Sequence, residues 1–368
     1  MAASTVHGAG SSNLQSYEWA PVDKATVALI EFTLQTMLPT SILEQVCSFW
    51  GVEGIKTMRL LSKKWDMFTR EKIPVVLRCR SAEDVELIES KVLRFSVIRG
   101  IVAKCVLLES SASICRGIQA TGGTLEQLDL QWNSLTKEHL VHVLDTLGYA
   151  RMLKFLRLNR NDMQMGTYAL ADALPNLPKL TELWMSNNNI TSTDLKCLVP
   201  KLASVSQLSV LNLSSNPLGD EGAACVAEVL PSLTTLRVLD LSNCKITDKG
   251  ALQICTALKD AGIPLDSLRL DVNQVSQGYP LAKCFSGWQV AALDLRGNRL
   301  DLGDAKAIWH EQRRGGGTAT ITYVSSAKTS RHPYVTSRMQ ELYLGPDDDG
   351  DDDYDAAGAA APAVVWKQ

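Results

Sequence analysis

Leucines along the middle of this chain fall into one phrase, L-x-x-L-x-L-x-x-N-x-L, written seven times between Leu125 and Leu300. The copies read LEQLDLQWNSL, LKFLRLNRNDM, LTELWMSNNNI, LSVLNLSSNPL, LRVLDLSNCKI, LDSLRLDVNQV and VAALDLRGNRL. Their first residues, Leu125, Leu153, Leu180, Leu208, Leu236, Leu265 and Val290, step by 28, 27, 28, 28, 29 and 25. At the centre of each copy polar and apolar residues alternate, which predicts a short strand with Leu128 and Leu130 pointing inward and Asp129 facing solvent. The residues that follow have helical spacing, as in Leu140, Val141, Leu144 and Leu147, or Ala224, Val226, Ala227 and Leu230. Each copy is therefore expected to be a strand and a returning helix. One such unit cannot cover its own apolar face, so the copies are expected to stack, with parallel strands lining a concave surface and helices on the convex one.

The Asn position has a backbone reason. Where the chain leaves the strand, amide and carbonyl groups would be buried unpaired at roughly 1–3 kcal/mol each. A short side chain with both a donor and an acceptor satisfies them. Asn133, Asn161, Asn188, Asn216, Asn273 and Asn298 fill the position, and Cys244 replaces Asn in the fifth copy. This resembles the ribonuclease-inhibitor class of leucine-rich repeats, and the resemblance implies an α/β solenoid, a right-handed α/β horseshoe. Stepping outward places degenerate capping strands at Leu77-Arg78-Cys79, Cys105-Val106-Leu107 and Ile321-Thr322-Tyr323. The expected solenoid covers residues 71–326 with ten strands, of which seven belong to the clear repeats of 125–300.

The remaining chain divides into a Ser-, Gly- and Ala-rich segment 1–20, expected to be disordered, a helical segment 21–70, and an acidic tail 327–368, also expected to be disordered. At 368 residues, 45% apolar and 21% charged, there is material for a large core and a smaller unit. MAASTVHGAGSSNLQSY lacks the basic start and apolar core of a secretory signal, and Glu31 interrupts TVALIEFTL, so a cytoplasmic or nuclear protein with no membrane partner is expected. Nine cysteines, odd in number and scattered without a C-x-x-C, read as reduced core residues. The net charge is −3, yet Asp347–Asp355 supplies seven negative charges by itself. The mild basic excess of the remainder is spread out, which argues against a nucleic-acid partner.

Within 21–70, Leu38-Pro39 opens a helix, with Pro suited to the first turn, and Ile42, Leu43, Val46 and Phe49 follow at helical spacing. Gly51 and Gly54 break it before Ile55, Met58, Leu61 and Trp65 resume the spacing. Leu38-Pro39, Ile42-Leu43, Val46, Ser48-Phe49, Ile55, Leu60-Leu61, Ser62-Lys63 and Trp65 together resemble an F-box. The segment departs from that pattern at Ser41, Trp50, Gly51 and Gly54. F-box and leucine-rich-repeat proteins carry the box directly before the solenoid, and here Ile73 follows Trp65 by eight residues. The resemblance implies a substrate receptor of a cullin-RING (SCF-type) ubiquitin ligase. Its box docks on a Skp-type adaptor within the cullin complex, and its solenoid holds a protein target. Carried over, Leu38, Pro39, Ile42, Leu43, Trp50 and Ile55 are the expected adaptor contacts, while Phe49 and Trp65 hold the box together. The same residues also suit a helical cap on the solenoid's first repeat.

The concave face should present Arg78, Val106, Asp129, Arg157, Trp184, Asn212, Asp240, Arg269, Asp294 and Thr322. Phe155, Arg157 and Trp184, with Asp240, Arg269, Asp271, Asp294 and Arg296, are the candidate target-binding residues, because exposed aromatic and Arg side chains are common anchors of protein recognition. Alternating Asp and Arg fit a mixed-charge protein rather than a polyanion. His139 and His142 are i, i+3 on a helix with no completing ligand, and no phosphate loop or nucleophile motif is present, so no catalytic residue, metal or cofactor is expected. Two rival readings share the repeat: a regulator resembling Ran GTPase-activating protein, which also has an acidic C-terminal tract, and a non-catalytic scaffold.

Overall fold

A computed structural model describes residues 75–88, 98–106, 111–133, 135, 137–163, 166–314, 320–324 and 341–344. The chain divides into two units at Ile73/Pro74, and all of these residues belong to the second. The box-like segment 21–70, with Leu38, Pro39, Ile42, Leu43, Trp50 and Ile55, lies outside the described residues, as do segment 1–20 and the acidic run of the tail.

Strands and helices alternate along the second unit. The order is β1 (Val75–Cys79), α1 (Ala82–Glu86), β2 (Ile98–Ala103), α2 (Ala112–Thr121), β3 (Gln127–Asp129), α3 (Lys137–Thr146), β4 (Phe155–Arg157), α4 (Gly166–Ala173), β5 (Glu182–Trp184), α5 (Ser192–Leu202), β6 (Val210–Asn212), α6 (Gly219–Val229), β7 (Val238–Asp240), α7 (Asp248–Asp260), β8 (Leu265–Arg269), α8 (Gly278–Phe285), β9 (Val290–Asp294), α9 (Leu302–Arg314), β10 (Thr320–Val324) and β11 (Glu341–Leu344). One sheet carries the strands in sequence order, parallel from β1 to β10. Successive helices pack on one another from α6 to α9.

The central leucines set the register. Leu128, Leu156, Leu183, Leu211, Leu239, Leu268 and Leu293 pair in line from β3 to β9, and all are buried. Each such side chain taken out of water contributes about 1.5–3 kcal/mol. Leu140, Leu144, Leu170, Leu195, Leu198, Val226 and Ile254 close the core from the helices. Pro175 and Pro231, without an N–H, stop α4 and α6 and open the short 3-10 turns Leu174–Asn176 and Leu230–Ser232.

The polar position holds adjacent units together. Asn216 Nδ2 donates to Leu213 O of its own repeat at 2.8 Å and to Met185 O of the preceding one at 3.0 Å. Its Oδ1 accepts the N–H groups of Asn188 and Ile190 at 2.9 and 3.0 Å. Asn273 repeats the pattern on Leu270 O, Leu241 O, Cys244 N–H and Ile246 N–H. Cys244 keeps only the donating half, with its Sγ 3.3 Å from both Leu213 O and Ser242 O, and burial pushes its thiol up to about 12. The residue before this position adopts a left-handed backbone in each repeat from β2 to β9: Cys105, Trp132, Arg160, Asn187, Ser215, Asn243, Val272 and Gly297.

Five expectations need correction. The second strand is Ile98–Ala103, with Ile101 rather than Val106 opposite Leu128. Val106 stands in the Asn position instead, and its N–H donates to Asn133 Oδ1 at 2.8 Å. Cys105 before it has φ +55°, which ends a strand, and it is exposed rather than part of the core. Val102, not Val106, therefore faces the concave side in this strand. Asp129 does not face solvent: its side chain is only 2% exposed beside Lys104 and Arg157. The sheet also does not end at ten strands, because Glu341–Leu344, inside the expected disordered tail, adds β11 antiparallel to β10.

Asn216→Ala leaves two buried N–H groups and two carbonyls short of a partner, so a loss of roughly 2–5 kcal/mol is expected. Cys244→Ala removes one weak donor and should cost about 1 kcal/mol. Urea denaturation of the two variants beside the parent checks the ranking, and equal losses would contradict the ladder's role.

Candidate protein-binding surface on the strand face

From β3 to β9 the residue between two buried side chains, both Leu except for Leu183 and Met185 around β5, lies on the strand face, and hydrogen bonding sorts these positions into two kinds. Asp129, Asn212, Asp240 and Asp294 each accept the backbone N–H two residues on, from Gln131, Ser214, Ser242 and Arg296 respectively. These are Asx turns, in which a carboxylate or amide stands in for a backbone acceptor as the strand ends. Arg157, Trp184 and Arg269 have no acceptor for that task. Their identity is free to serve another purpose.

The first cluster lies on β2 to β5. Arg157 stands between Asp129 and Trp184 in register. Its guanidinium is 3.2 Å from Glu182 Oε2 and 4.0 Å from Asp129 Oδ2, with its Cζ 5.9 Å from the centre of the Trp184 ring. Trp184 Nε1 donates to the same Glu182 oxygen at 3.0 Å, so one carboxylate holds both anchors in place. Lys104 reaches Asp129 at 3.2 Å, and Lys154 reaches Glu126 at 3.0 Å. Phe155 is half-buried between Gln127 and Glu182.

The second cluster lies on β7 to β9 and the turns that follow. Arg269 pairs with Asp240 at 3.3 Å and with Asp271 at 3.4 Å, and Arg296 grips Asp294 with both Nε and Nη2. Ser242 Oγ lies within hydrogen-bond distance of both Asp240 and Asp271, so its single hydroxyl proton is shared between the two carboxyl groups. Burial raises the Asp271 carboxyl above its ordinary range, and the charges of Asp294 and Asp240 add to this while Ser242 and Arg269 oppose it. Asp240 and Asp271 are buried, so they present less to a partner than the sequence suggests, whereas Arg157, Trp184, Arg269, Asp294 and Arg296 remain half-exposed.

Sequence reasoning overlooked two contributors. Lys104 was hidden by the misplaced second strand. Trp132, 48% exposed, sits in the left-handed position before Asn133 with the Arg160 guanidinium 3.6 Å above its ring centre. With Asp162 and Asn187 they line a depression of about 390 Å³. A large aromatic where the turn needs no side chain was the available signal. Among the described residues no three His, Cys, Asp or Glu side chains converge as a metal site, and no helix is long and apolar enough to cross a membrane.

Against this geometry, a family model described as Leucine Rich repeat matches residues 176–199, 207–227 and 232–255. The fold is a leucine-rich-repeat solenoid. The matched spans run from the 3-10 turn after α4 through β5, β6 and β7 into α7, where the Leu register and the Asn/Cys position are most regular. A chain in the crystal structure of the Rad7 and Elc1 complex in yeast is similar over 82% of this chain and 80% of that one, at 14% identity and a TM-score of 0.48. No curated protein matches this leucine-rich-repeat chain in sequence.

A raised Asp271 pKa means that the folded state holds this proton more tightly than the unfolded one. Its stabilising contribution is then present below the unfolded value and lost as pH rises through the folded one. Asp271→Asn removes that dependence and can still accept the Ser242 hydroxyl. The difference in melting temperature, variant minus parent, should therefore become more positive from pH 4 to pH 8. A difference that becomes more negative over that range would contradict the assignment.

Proposed function

We propose that the chain is the substrate-recognition subunit of a cullin-RING (SCF-type) ubiquitin ligase. The observation that carries this reading is the F-box-like run from Leu38-Pro39 to Trp65 placed directly before the leucine-rich-repeat solenoid. In this reading Leu38, Pro39, Ile42, Leu43, Trp50 and Ile55 contact a Skp-type adaptor. The strand face of the solenoid holds a protein target through Phe155, Arg157 and Trp184, with Asp240, Arg269, Asp271, Asp294 and Arg296 continuing the surface.

The chemistry of that face supports a protein target. Trp184 and Arg157 are pre-positioned by Glu182, so little side-chain freedom is lost on binding, which favours an anchor role. Acidic and basic groups interleave on both clusters, a pattern that selects a partner of mixed charge. The chain's part in ubiquitin transfer is to bind and orient: the box fixes it to the ligase, and the solenoid sets the distance and direction at which the target is offered.

Purification of tagged chain from its own cells tests the two halves separately. The parent should recover a Skp-type adaptor and a cullin, and Leu38→Ala/Pro39→Ala should lose both; absence of adaptor and cullin with the parent would overturn the receptor reading. Trp184→Ala should weaken recovery of the target by about tenfold or more, as expected for a binding anchor, while adaptor recovery is unchanged. Loss of both together would indicate misfolding rather than a target site.

A further inference from the structure

The helix side of the C-terminal repeats carries a basic groove that the proposed function does not use. Between α8 and α9 lies a depression of about 580 Å³ lined by Tyr279, Lys283, Lys306, His310, Glu311 and Arg314. A second, of about 510 Å³, adjoins it between α7 and α8 and shares Tyr279 and Lys283. Lys306, His310 and Arg314 are spaced i, i+4 and i+8, so they form one exposed stripe along α9. Tyr279 stands over the groove at 67% exposure. Among the described residues neither Lys283 nor Lys306 has a carboxylate partner.

The sheet sets where the chain leaves for its acidic segment. Because β11 runs antiparallel to β10, Leu344 lies opposite Ile321, at the start of β10. That is the end of the sheet to which α9 delivers the chain, since Arg314 precedes Thr320 by six residues. Asp347 follows Leu344 by three residues, a reach of about 11 Å when extended. The run Asp347–Asp355 can extend to about 30 Å, whereas the stripe from Arg314 to Lys306 is about 12 Å long. We propose that the acidic run Asp347–Asp355 of this same chain lies across the groove between α8 and α9, over Lys283, Lys306, His310 and Arg314.

Charge and tethering both favour this occupant over an acidic segment from elsewhere. Individual exposed ion pairs are weak. A segment joined by a short linker, however, meets its site at an effective concentration of about 1 mM, so a site of similarly low intrinsic affinity is occupied within the chain and scarcely populated by free ligand. The docked run would shield the basic groove from other polyanions and leave the strand face open.

Zero-length carbodiimide coupling of the full chain tests this, because it joins a carboxylate to a lysine amine only when the two are in contact. An equimolar mixture of ¹⁴N- and ¹⁵N-labelled chains separates links within a chain from links between chains. Mass spectrometry should find Asp347–Asp355 joined to Lys283 and Lys306 within single chains. The yield should fall about tenfold in 1 M salt, where the screening length is about 3 Å. It should fall similarly in the His310→Glu/Arg314→Glu variant, which keeps both lysines; circular dichroism checks that the variant is folded. Links no more frequent than those to Lys104, Lys154 or Lys196, links insensitive to salt and charge reversal, or links chiefly between differently labelled chains would each overturn the proposal.

Discussion

Everything on the strand face depends on a buried side-chain amide that belongs to two repeats at once. Asn216 satisfies carbonyls of its own turn and of the turn before it, and it accepts two N–H groups that nothing else nearby would pair. Leucine burial supplies most of the driving force, but it is non-directional and would tolerate sliding of one unit against the next. The amide does not tolerate sliding, because every displaced bond strands a buried polar group. Together with the left-handed residue that precedes it, it fixes where each strand ends and how the next one is aligned.

That alignment turns separate side chains into a surface. Once Leu128, Leu156 and Leu183 stand in line, Asp129, Arg157 and Trp184 must as well, and Glu182 can hold an Arg and a Trp with one carboxylate. Burial raises the Asp271 pKa, and the same alignment brings Asp294 and Asp240 close enough to add to that rise. Some of these residues serve the turns and others do not. Asp240 and Asp294 are bound to the backbone two residues on, so their presence follows from folding, whereas Arg157, Trp184 and Arg269 answer to no such need.

The sequence was most informative where the physics is strictly periodic. Strands β3 to β9 and β10 could be placed from leucine spacing, and the Asn and Cys positions from the polar groups they must satisfy. Legibility failed where the period is carried by other residues. In β2, Ile98, Ile101 and Ala103 replace the leucines and Val106 replaces Asn, so the more apolar run beginning at Cys105 looked like the strand. Burial of Asp129 was also not legible, since it arises beside Lys104 and Arg157 of neighbouring repeats rather than from local sequence. Strand β11 followed a segment with no leucine phrase, and Trp132 fell at a turn position that pattern reading passes over.

The central functional claim is that two separate surfaces act, a box-like segment for an adaptor and the strand face for a target. Hydrogen-exchange mass spectrometry of the full chain, with and without purified Skp-type adaptor, tests this most directly. Protection is expected in peptides from residues 38–65, with the peptides that carry Phe155, Arg157 and Trp184 unchanged. Protection of the strand-face peptides by the adaptor, or none in 38–65, would contradict it.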